Sequence, residues 1–119
     1  MDEREQQIVR TFEEFKEFGL VEDEEGVTID ADSAHGILIE KVDEHEQAID
    51  VAYEKNKSQR TSHLTKTALL RIMIDGGTDD DIRRHIDENG LSTQHSVEYR
   101  REEAIKSIGV VKSKAEKAR

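Results

Sequence analysis

The chain has 119 residues, a formal net charge of −10 and no cysteine. Disulfides, thiolate metal sites and cysteine nucleophiles are therefore excluded. No apolar run approaches the roughly 20 residues that span a bilayer. The opening Met1-Asp2-Glu3-Arg4-Glu5 is unlike a secretory leader, so a cytoplasmic, non-membrane protein is expected.

Leu, Ile, Val and Phe make up about 24% of the residues, just above the level at which a highly charged chain stays disordered. Only five residues are Phe or Tyr and none is Trp, so the core is aliphatic and modest. The charge is unevenly spread. Residues 1–56 hold 18 acidic and 5 basic side chains, whereas residues 57–119 hold 10 acidic and 13 basic. Only the second half approaches a polyanion without strong repulsion.

Taken in chain order, residues 2–18 read as a helix with Ile8, Phe12 and Phe15 on one face and Gly19 as its stop. An acidic turn follows from Val21 to Gly26, then an isolated strand-like run, Val27-Thr28-Ile29. Asp32 or Ser33 is placed to cap a long second helix reaching about Lys55. Leu38, Val42, His45, Ile49 and Ala52 recur along it at spacings of 4, 3, 4 and 3, forming a narrow seam. That seam suits packing on the first helix or on a second copy of the chain, and a homodimer is expected. The polar stretch from Glu54 to Ser62 marks a boundary.

Three helical signals then follow closely. Thr65 or Thr67 to Asp75 carries Leu69, Leu70, Met73 and Ile74, and Gly76-Gly77 ends it. Thr78 caps the next, with Asp79, Asp80 and Asp81 in the first turn and Ile82 and Ile86 facing inward. Asn89-Gly90 closes it. Ser92 or Thr93 is placed to cap a third, with Val97, Ala104, Ile105 and Ile108 as core positions and Gly109 as its end. A short helix followed by a longer one suits a groove-reading unit, in which the second helix presents its first residues to base edges. Those residues are Thr93, Gln94, His95 and Ser96, with Tyr99 and Arg100 one turn on. Gln pairs with adenine, Ser and Thr reach several bases, and Arg reaches phosphate or guanine.

Leu70-Arg-Ile-Met-Ile-Asp-Gly-Gly-Thr-Asp-Asp-Asp-Ile82 resembles the first half of the helix-turn-helix that ends LuxR-type transcription regulators. Ser96-Val-Glu-Tyr-Arg-Arg-Glu-Glu-Ala-Ile-Lys-Ser-Ile-Gly-Val110 resembles its second half, with the Ser/Thr-Val start, the Ala and the Ile-Gly-Val end in register. Sigma-factor region 4 shares much of this pattern. The resemblance covers about 47 residues, and it implies a DNA-binding transcription regulator that reads the major groove of double-stranded DNA. Three features depart from the family. Asp87-Glu-Asn-Gly90 lengthens the turn, Arg101 stands at a core position, and Asp79 to Asp81 lie near the expected path of a phosphate backbone.

The expected fold is mainly α. An acidic helical region at 1–56 serves dimerisation or partner binding, a tetrahelical helix-turn-helix domain spans 62–112, and 113–119 is a basic tail. No enzyme, cofactor or metal site is expected. The five histidines show no i, i+4 pair, and the aspartates lack the alternating spacing of a calcium loop. The competing reading is a helix-turn-helix shape used for protein docking, as in a viral or plasmid packaging component acting through its acidic surface. The two readings differ in where Asp79–Asp81 point relative to the third helix.

Overall fold

The computed structural model describes residues 1–22 and 28–118. Five helices follow one another: α1 Glu3–Glu17, α2 Ala31–Ala52, α3 Lys57–Ile74, α4 Asp79–Glu88 and α5 Val97–Ala118. Among the described residues there is no strand. Of the strand-like run, Val27 lies outside them, and Thr28 and Ile29 belong to no regular element. The molecule measures 43 × 34 × 19 Å, so its thinnest dimension is about two helix diameters.

Local capping sets most helix starts. Asp2 and Glu5 form a reciprocal capping box on α1, as do Thr78 and Asp81 on α4. Helix α2 starts earlier than expected, because Asp30, rather than Asp32 or Ser33, accepts the Ser33 N–H at 2.7 Å. That bond holds the Asp30 carboxyl below the ordinary carboxylate range. Helix α3 also starts early. Asn56 caps it, and the polar stretch read as a boundary forms its first turns. Helix α5 starts late, because Ser96 accepts the Tyr99 N–H at 3.0 Å. It runs through Gly109 to Ala118, so the expected basic tail is helical as far as it is described.

The seam of α2 is spent inside the chain. Leu38, Val42, His45 and Ile49 are all buried, and α2 packs on α5, α3 and α1. Leu38 and Val42 join one core with Ile8, Phe12 and Phe15 of α1, Leu70, Met73 and Ile74 of α3, Ile82 and Ile86 of α4, and Ala104, Ile105 and Ile108 of α5. Ile49 joins Tyr53 and Val111 in a smaller cluster. The ground for expecting a dimer through this seam is thereby removed: Leu38, Val42 and Ile49 are already fully buried within the chain, which spends them on its own small core.

Helix α1 braces the C-terminal helices by polar contacts. Arg10 pairs with Asp79 at 2.9 Å, and Thr11 Oγ1 lies 3.1 Å from the Met73 carbonyl. Gly76, at φ +86°, turns the chain out of α3 directly against α1. A Cβ there would sit 2.6 Å from the Arg4 carbonyl oxygen. Gly76→Ala is expected to destabilise the fold by roughly 2 kcal/mol or more, from left-handed strain plus the backbone collision. Gly90 has a similar φ of +63° but open space around it. Gly90→Ala should cost only about 1 kcal/mol. Urea unfolding of the two variants checks the difference, and equal losses would contradict it.

Candidate nucleic-acid interface

The corner between α4 and α5 brings the expected reading residues to the surface, but not onto the helix. Thr93, Gln94, His95 and Ser96 are all exposed and lie in the connection before α5 begins at Val97. Among the described residues, the Thr93 and Gln94 side chains have no hydrogen-bond partner. His95 stacks on Tyr99, with ring centroids 4.3 Å apart, and Tyr99 is itself exposed. Ser96 uses its hydroxyl as the helix cap, which leaves it less free than its neighbours. Arg100 folds back: its Nη2 donates to the Ser92 carbonyl at 2.7 Å, so it shapes the turn instead of extending from it.

Arg101, the charged residue at a core position of the family pattern, is accounted for by a partner that the sequence concealed. It is 0% exposed. Its Nε donates to both carboxylate oxygens of Glu14, at 3.1 and 3.2 Å, and its Nη2 donates to Glu14 and to Thr11 Oγ1. It occupies the core register of α5 and ties that helix to α1. Its place in the periodic series with Val97, Ala104 and Ile108 was visible. Its partner, 87 residues earlier, was not.

The three aspartates opening α4 are occupied and remote. Asp79 pairs with Arg10 of α1, Asp80 with Arg83 at 2.7 Å, and Asp81 with the Thr78 cap and with Arg84. The Thr78 backbone bond keeps the Asp81 carboxyl low in pKa and ionised. Helix α4 has 10 residues and is about 15 Å long, so its first turn stands away from the α4–α5 connection. Arg83 and Arg84 are both mostly exposed, and such i, i+3 pairs are worth little in water.

The outward stripe of α5 continues from this corner. Burial of Arg101, Ala104, Ile105, Ser107, Ile108, Val111 and Ala115 leaves Tyr99, Lys106, Val110, Ser113 and Lys117 facing out. Glu102 interrupts the stripe, and Glu103 lies 3.9 Å from Lys106. Among the described residues, no group of three His, Asp or Glu side chains is arranged to hold a metal ion, and no helix is long and apolar enough to cross a membrane. No protein-family model, curated protein or solved structure matches the chain.

Proposed function

We propose that this chain is a DNA-binding protein of the transcription-regulator kind, with α4 and α5 as its helix-turn-helix and the α4–α5 connection as its reading edge. The observation that carries this reading is the run Thr93-Gln94-His95-Ser96 at the head of α5. It is exposed, polar and largely unused by the fold, and an exposed His95–Tyr99 stack flanks it. The weakly held Arg83 and Arg84 on α4 supply cations for phosphate. The distance of the first turn of α4 from the reading edge, with Asp79 held by Arg10 of α1, supports DNA over protein docking. The other reading, docking through an acidic surface, is favoured by a different observation: Arg100, expected to contact DNA, is consumed by Ser92. Pairing of two copies has no exposed α2 seam to use, so the proposal does not include it.

Selection of binding duplexes from a random pool, followed by titration of variants, tests the proposal. Gln94→Ala should lose about 1–3 kcal/mol on the selected site and little on random DNA. Arg100→Ala should act through loosening of the turn. An unchanged affinity of Gln94→Ala and His95→Ala for the selected duplex would refute base reading at this edge. Absence of any selected duplex would favour docking.

A further inference from the structure

Charge separation within the fold is sharper than within the sequence. Helix α3 contains no acidic residue at all, and α5 from Ala104 to Ala118 carries four lysines against one glutamate. Tyr53 at the end of α2 packs with Val111, and its ring stacks on His63 of α3 at 4.8 Å. His63 Nδ1 lies 2.6 Å from Ser107 Oγ of α5. The N-terminal half of α3 and the C-terminal half of α5 are therefore joined at one end of the molecule, where Lys114 and Lys117 lie. A groove of about 480 Å³ opens there, lined by Tyr53, Gly109, Val110, Ser113, Lys114 and Lys117. Among the described residues, Lys114 and Lys117 have no ion-pair partner.

This end lies on the same outward stripe of α5 as Tyr99 and the reading edge. The acid-rich helices α1 and α2 pack on the buried face of α5, through Glu14–Arg101 and through the α2 seam, and the C-terminal end of α2 reaches the groove at Tyr53. At physiological salt, charges more than about 8 Å away are largely screened, so the net −10 does not decide what approaches this face. Helix α5 has 22 residues and is about 33 Å long, close to the roughly 34 Å of one duplex turn.

From this geometry we infer that the lysine-rimmed groove at the end of α5 is a contact site for the phosphate backbone of duplex DNA. It engages the duplex about one helical turn from the reading edge. The inference rests on the DNA-binding reading and adds a second point of attachment to it. The occupant is a polyanionic backbone because the groove is lined by two ammonium groups, Lys114 and Lys117, that have no ion-pair partner among the described residues, against the single carboxylate of Glu116 on this half of α5. A symmetric pairing of two such faces would set lysines against lysines.

The test is a salt titration of the full chain on a labelled random-sequence duplex about three turns long. Wild type is compared with Lys114→Gln/Lys117→Gln and with Lys41→Gln on α2 as a charge control, all checked by circular dichroism. The double variant should bind on the order of tenfold more weakly at low salt, with a log–log salt slope shallower by about two. Lys41→Gln should keep the wild-type slope. An unchanged slope in the double variant, with Gln94→Ala still losing the selected site, overturns this inference and leaves the reading edge standing. Failure of wild type to bind any duplex at low salt overturns both. A synthetic acidic amphipathic helix that binds wild type but not the double variant, with no duplex bound, assigns the groove to a protein partner and also overturns it.

Discussion

Glu14→Ala is expected to destabilise the chain by about 3–5 kcal/mol, because it strands the guanidinium of Arg101 at 0% exposure without a counter-charge. Arg101 Nη1 already lacks a partner, so without Glu14 the guanidinium keeps only the Nη2 bond to the neutral Thr11 hydroxyl. The loss falls on the contact that joins α1 to α5, which places the consequence near the start of α5 as well as in the core. Replacing both partners together, as Glu14→Leu/Arg101→Met, should recover most of the stability, since an apolar pair of similar volume carries no desolvation penalty. Urea unfolding of Glu14→Leu, Arg101→Met and the double variant checks this. Additive losses across the cycle would show that Arg101 and Glu14 do not act as a pair.

Acid sensitivity should be set largely by His45. Both its ring nitrogens are buried without hydrogen-bond partners. Burial, with His63 and Arg71 of α3 nearby, pushes its pKa from 6.5 to about 4. The direction of the effect follows from proton uptake. Above pH 6.5 the imidazole is neutral in both folded and unfolded chains, and native stability is intact. As the pH falls toward 4, the unfolded chain takes up a proton that the native chain refuses, so stability is lost across that window. For one such group the loss is about 2–3 kcal/mol between about pH 7 and pH 4.5. His63, also lowered by burial, adds in the same direction. His45→Leu should abolish most of this slope and raise stability at neutral pH, because it removes two unsatisfied nitrogens from the α2 seam. A variant whose unfolding free energy keeps the wild-type pH dependence would show that other groups govern acid unfolding.

Much of the helical framework was legible in the sequence because its cause is local. The 4–3–4 spacing along α2, the Thr78 cap with three aspartates behind it, and the stops at Gly19 and Gly76 all act within a few residues of chain. The sequence also determined the acidic first half, the basic second half and the exposure of the polar run from Thr93 to Ser96, since nothing apolar in that run asks to be buried. Tertiary structure decided what these features are used for. It buried the α2 seam against α1, α3 and α5, because a chain this short has no other apolar surface with which to close its core. It drew α5 through Gly109, where Val111 and Ala115 still had faces to bury, so packing outweighed the roughly 1 kcal/mol cost of a helical glycine. It turned Arg101 inward and Arg100 back onto Ser92, leaving the cations to α4 and to the lysine end of α5. A spacing rule sees which face a residue occupies, but the partner waiting on that face, Glu14 for Arg101 or Arg10 for Asp79, comes from a helix dozens of residues away and is fixed only when the helices pack.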